Sequence, residues 1–161
     1  MKKLFYITIL LLSSLSVAQA PGWLQTTNGK IEATDANPKN LKVYEKFIEA
    51  HNERNINKIS RMAHESILIE MPDGTELKGK EQFIEVLNNW FSNSDPKWSP
   101  FFAYSMKVTG QDGEWVIAGH RLEDKPQDLN VLDIVDVYLE KNKVRRIIVY
   151  RKENTKKLFL L

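Results

Sequence analysis

The hydrophobic pattern changes period partway along the chain. From residue 40, Leu41, Tyr44, Phe47, Ile48 and His51 recur at three- and four-residue steps with Lys42, Glu45, Lys46 and Glu49 between them. This is the stripe of an amphipathic helix, with Asn40 placed to cap it. Glu53-Arg54-Asn55 interrupts the stripe, and a second short helix follows with Ile56, Ile59, Met62 and Ala63 on one side. Residues 66–71 (SILIEM) read as a strand ended by Pro72-Asp73-Gly74, and 75–77 as a short partner before Gly79. A third helix is expected from Lys80-Glu81, carrying Phe83, Val86, Leu87, Trp90 and Phe91. The stretch 93–100, with Asp95-Pro96 and Ser99-Pro100, reads as a loop. Beyond it the pattern is β-like: 101–109, 115–122, then 129–151, where two β-branched runs flank Lys141-Asn142 as a long hairpin. Helices followed by a run of strands predict an α+β fold, with one strongly curved antiparallel sheet cupped around about three N-terminal helices.

Alternation divides the first arm of that hairpin into Leu132, Ile134, Asp136, Tyr138 and Asp133, Val135, Val137, Leu139. Both sets are mostly apolar, so the sheet needs a cover on each side: helices on one, a second subunit on the other. Whichever way the arm turns, one of its two aspartates meets a covered face, where an acid must be paired, hydrated or protonated.

The two ends change the picture more than the composition does. Residues 1–20 carry Lys2-Lys3, an apolar run from Leu4 to Leu12 and small residues ending in Ala18-Gln19-Ala20, the pattern of a secretory signal peptide. Cleavage after Ala20 sets Pro21 beside the scissile bond, so cleavage after Ala18 competes with it. The expected product is an exported protein, periplasmic or secreted, with no membrane attachment after cleavage. Loss of Lys2 and Lys3 leaves 21 bases against 21 acids, which gives no global pull toward nucleic acid or anionic lipid. There is no cysteine, hence no disulfide or lipidated cysteine. Residues 21–39 mix Pro, Gly, Asn and Thr without periodicity and read as a linker; 40–153 form the domain; 154–161 form a C-terminal tail.

The order of these pieces resembles the nuclear transport factor 2-like superfamily, with the SnoaL-like polyketide-cyclase and ketosteroid-isomerase branch most similar. The likeness lies in 47–62 (FIEAHNERNINKISRM), Met71-Pro72-Asp73-Gly74 followed by Gly79-Lys80-Glu81, and Asp136-Val137-Tyr138 leading to Val144. It implies a cone whose sheet wraps the helices around a mostly apolar cavity, frequently in a dimer. It also implies positions. The isomerase base falls on Met71 and the oxyanion-hole tyrosine on Phe47, while the second oxyanion-hole acid falls on Asp136, beside Ile134 and Tyr138 on the concave face. The last strand, where epoxide-hydrolase relatives use a charged cluster, reads Ile147-Ile148-Val149. Neither the ketosteroid-isomerase nor the epoxide-hydrolase chemistry is therefore expected.

Asp136 is the first candidate for acid–base work, set against a plain ion pair with Arg145 or Arg146 across the hairpin. His120 is the second; an even-sum register between its strand and the next would put it on one face with Asp136. Asp133 would then face away, in an interface or structural role. Tyr104, Tyr138, Trp90 and Trp98 supply candidate pocket aromatics, joined by Phe47, Met71 and Ile134. Three histidines without cysteine make a poor metal set, and no phosphate loop or nucleophile elbow is present, so no cofactor or metal is implied. Three functions remain: a homodimeric binder of a small, largely apolar molecule; an isomerase, cyclase or dehydratase using Asp136 and His120; and a non-catalytic interaction module with a filled core.

Overall fold

A computed structural model of the chain describes residues 22–153. The expected signal peptide and C-terminal tail lie outside the described residues. Among the described residues, no helix is long and apolar enough to cross a membrane.

The chain forms β1 (Gly22–Thr26), β2 (Gly29–Asp35), α1 (Lys39–Asn52), α2 (Ile56–Met62), β3 (Ala63–Glu70), β4 (Glu76–Lys78), α3 (Lys80–Asn93), β5 (Lys97–Val108), β6 (Glu114–Asp124), β7 (Leu129–Glu140) and β8 (Lys143–Glu153). The eight strands make one curled, unclosed sheet in the order β1-β2-β5-β6-β7-β8-β3-β4, antiparallel except where β3 meets β8. The helices fill its concave side, completing the α+β cone expected from the sequence. Tyr44, Phe47, Ile48 and His51 of α1 and Phe83 and Leu87 of α3 are buried there against the inward residues of β6 and β7.

Helix starts follow local chemistry. Asn55 caps α2, its side chain accepting from the Lys58 N–H at 2.9 Å. At α1 the expected cap is displaced: Asn37 accepts from the Lys39 N–H at 3.0 Å, while the buried Asn40 side chain donates instead to the Glu114 carboxylate. α3 begins at Lys80, directly after Gly79.

Two expectations are corrected. Residues 22–35 are a hairpin, not a linker: Thr26 pairs with Gly29, and β2 joins β5 through Ala33, Thr34 and Asp35. In β2 only Ala33 is buried, so this arm carries little of the hydrophobic alternation by which strands are recognised. Likewise 97–100 is strand, not loop. Pro100 is tolerated because β2 pairs only with residues 106–108 of β5, leaving the opposite edge open at the proline.

Register decides which side chains meet. β6 and β7 pair Val116 with Val137, Ala118 with Val135, His120 with Asp133 and Leu122 with Val131, all facing inward. The link between β7 and β8 is the two-residue turn Lys141-Asn142, with positive φ at both positions, as expected for a tight hairpin. On β5 the register slips by one between Pro100 and Phe102. This bulge turns Phe101 and Phe102 outward together, 57% and 43% exposed. Both rings lie over Gly119 of β6, where an added Cβ would come within 2.4 Å of Phe102 and 2.7 Å of Phe101.

Candidate functional site

The curl of the sheet and the two long helices enclose a chamber of about 130 Å³. Apolar side chains make most of its wall: Phe47 and Ile48 from α1, Phe83 and Leu87 from α3, Trp98 from β5, and Val135 and Val137 from β7. An open groove of about 640 Å³ adjoins it. Met71, Val86, Trp90 and Arg151 line both spaces and so mark the passage between them. Trp90 is held at that passage by its indole N–H, which donates to the Asp124 carboxylate at 2.7 Å.

Polar groups in the chamber are few, and four of them are connected. Asp133 of β7, 2% exposed, accepts from Arg151 of β8 at both carboxylate oxygens, 2.9 Å from Nε and 3.0 Å from Nη2. Such a bidentate pair gives a buried carboxyl group two charge-assisted hydrogen bonds that offset part of its desolvation. His120 of β6 brings Nε2 to 3.9 Å from the second oxygen of Asp133, beyond hydrogen-bond reach. Its Nδ1 lies 3.3 Å from the hydroxyl of Tyr44 on α1. Burial lowers the His120 pKa more than anything else; Asp133 opposes that fall and Arg151 adds to it. The imidazole is therefore neutral near pH 7, and the carboxylate favours the tautomer that points an N–H at it, leaving Nδ1 to accept from Tyr44. Burial likewise raises the Tyr44 pKa, keeping its hydroxyl protonated.

His51, one turn after Phe47 on α1, stands apart from this chain of contacts. Its Nδ1 is 2.7 Å from the Phe47 carbonyl oxygen, and its ring sits among Phe47, Trp98, Phe83 and Phe91 with centroids 4.4, 5.4, 6.2 and 6.3 Å away. Burial pulls its pKa down to about 4. Because a carbonyl only accepts, Nδ1 carries the proton and Nε2 presents a lone pair.

The structure gathers about half of the residues singled out in the sequence. His120, Phe47, Met71, Trp90 and Trp98 line the chamber. Asp136, Tyr104, Tyr138 and Ile134 do not; they lie on the outer face. Asp136 is half-buried there, accepts from the Tyr150 hydroxyl at 3.3 Å, and has its pKa raised chiefly by burial. It does not pair with the arginines across the hairpin: Arg146 binds Glu70 at 2.6 Å, and Arg145 donates to the Ser66 carbonyl. Tyr104 is 45% exposed and donates to Asp35 at 2.9 Å, tying the N-terminal hairpin down. Tyr138 stacks on Trp115 and accepts from the Gly113 N–H, while Ile134 is exposed. The physical reason is register: residue numbers across β6 and β7 sum to an odd value, so His120 faces Asp133 and shares no face with Asp136. Tyr44, His51, Asp133 and Arg151 were not selected from the sequence. Tyr44 and His51 carried a signal, since both fall on the buried stripe of α1 and bear polar atoms that need partners there. Among the described residues, no group of three His, Asp or Glu side chains is gathered to hold a metal ion.

An eight-stranded sheet curled around three helices over an apolar chamber is the fold of nuclear transport factor 2-like proteins, and solved structures share it. The chain is similar to a candidate ketosteroid isomerase from Kribbella flavida, with TM-score 0.61 and 12% identity over 75% of this chain and 83% of that one. It is similar to a nuclear transport factor 2-like protein of unknown function from Cytophaga hutchinsonii, with TM-score 0.57 and 14% identity over 73% and 93%. A candidate SnoaL-like polyketide cyclase from Shewanella putrefaciens aligns with TM-score 0.55 and 9% identity over 71% and 80%. At such identities the likeness is one of fold. No family model and no curated protein sequence matches the chain.

Proposed function

We propose that this protein is an exported, homodimeric binder of a small, largely apolar molecule, held in the chamber on the concave side of its sheet. The observation that carries this reading is an unfilled space whose wall is apolar except for the Tyr44–His120–Asp133–Arg151 set and His51, the usual make-up of a small-molecule site. The chamber limits the ligand. Its volume of about 130 Å³ falls short of the roughly 300 Å³ that drug-sized ligands occupy, whereas a dry cavity of about 150 Å³ is known to take benzene. A single ring fits inside, and anything larger extends past Met71, Trp90 and Arg151 into the groove. Native mass spectrometry of protein purified from the cell envelope without detergent tests this reading. The expected result is a co-purifying apolar compound together with a mature N-terminus at Gln19 or Pro21. Repeated recovery of empty protein would favour the interaction-module reading.

Dimerisation is supported by the outer face, where Phe101, Phe102, Tyr104, Ile134 and Tyr150 are exposed together on neighbouring strands. A second functional reading, proton transfer on the bound molecule, is favoured by the neutral His120 beside the carboxyl group of Asp133. In that reading His120 is the base and Asp133 the group that stabilises its protonated form, in place of Asp136. His120→Ala should then lower turnover of a screened substrate about 10²-fold or more. An unchanged rate would remove the catalytic reading and leave the binder.

A further inference from the structure

We propose that His51 Nε2 recognises the inner end of the ligand, and that this end is an uncharged, hydroxyl-bearing ring: a simple phenol by chemical class. The inference rests on the binding reading above and specifies its ligand. His51 lines the chamber, and its tautomer is fixed from behind by the Nδ1–H bond to the Phe47 carbonyl. Its Nε2 is thus an obligate acceptor, and it meets no partner among the described residues. Nor is it sealed in, because Ser94 Oγ is the one enclosed side-chain nitrogen or oxygen among them that lacks a partner. A lone pair opening into an apolar space has only water or a bound ligand to donate to it, and a ligand that enters without a donor leaves it unpaired.

The surroundings select the donor. Four aromatic rings frame the imidazole, and edge-to-face contact with them suits a flat ring better than an aliphatic chain. An anion cannot donate to the lone pair. A cation finds no spare negative charge, since both oxygens of Asp133 are held by Arg151. A neutral O–H satisfies Nε2 at no cost in buried charge. A site with such an acceptor discriminates against the same ring without its hydroxyl, because the acceptor is then left unpaired.

Calorimetric titration with phenol and with toluene, on wild type and on His51→Phe, tests the proposal. The ratio of toluene Kd to phenol Kd is expected to fall about three- to tenfold in the variant, the worth of one buried hydrogen bond. In ¹⁵N-labelled wild type, phenol should move the His51 Nε2 resonance and toluene should not; this readout stands even if the variant fails to fold. An unchanged ratio, a shift at His120 in place of His51, or tighter binding of benzylammonium than of phenol would overturn it. Saturable toluene binding without preference for phenol would overturn this inference alone. Failure of both compounds to bind would overturn the chamber reading with it.

Discussion

Two aspartates three residues apart on β7 have opposite fates. Asp133 looks into the chamber, is almost fully buried, and is clamped at both oxygens by Arg151. Asp136 looks outward, is half-buried, and leans on one tyrosine hydroxyl at 3.3 Å, with its charged form disfavoured by burial. A strand imposes this split, since an odd separation in sequence means opposite faces. On one face an apolar surface closes over a polar cluster; on the other, apolar side chains stand open around a carboxyl. The comparison teaches that burial alone does not identify a site: a carboxylate is informative where a cavity and other titratable groups converge on it.

The contrast should break most visibly in stability. Asp133→Ala removes the bidentate partner of the Arg151 guanidinium and is expected to cost about 3–5 kcal/mol, whereas Asp136→Ala should stay within about 0.5 kcal/mol of wild type. Urea denaturation of the two variants checks both, and equal effects would erase the difference between the faces. The next largest effect is on pH dependence. His51 titrates at about 4 in the folded protein against about 6.5 unfolded, so the unfolded chain takes up its proton first as the solution is acidified. Stability should therefore fall between about pH 6.5 and pH 4, by about 3 kcal/mol from this residue, and His51→Phe should flatten the slope. His120, also lowered, acts in the same direction. Asp136 acts oppositely: its raised folded pKa gives a contribution present at acid pH and lost as the pH rises through that value.

The outer face yields a smaller and separate effect. Ile134→Asp should weaken the proposed dimer at least about tenfold, seen by light scattering at micromolar concentration, without changing the chamber. A wild-type monomer at that concentration would contradict the proposed dimer. Least of all, Tyr44→Phe removes the donor to His120 Nδ1 and should cost about 1 kcal/mol in the same urea assay.

How far the sequence could be read follows from which signals are local. The helical stripes, the start of α3 just after Gly79 and the turn at Lys141-Asn142 depend on a few adjacent residues, and each was legible. The N-terminal hairpin was less so. Its Asn28-Gly29 pair is a turn signal, but β2 buries only Ala33 and so shows little apolar alternation. The face of the site was not legible at all. Four residues, 125–128, separate Asp124 from its partner Leu129, and one residue more or fewer would have exchanged Asp133 for Asp136 at the chamber. Arg151 was not selected because its partner lies eighteen residues away on another strand. Distance in sequence hid that pairing.

The central claim is that the concave face, and not the convex one, receives a small apolar molecule. Methyl-labelled NMR during a toluene titration tests it directly. Saturable shifts are expected at Ile48, Ile69, Leu87 and Val135 with Ile134 and Ile148 unmoved; shifts confined to Ile134 and Ile148, or none at all, would contradict it.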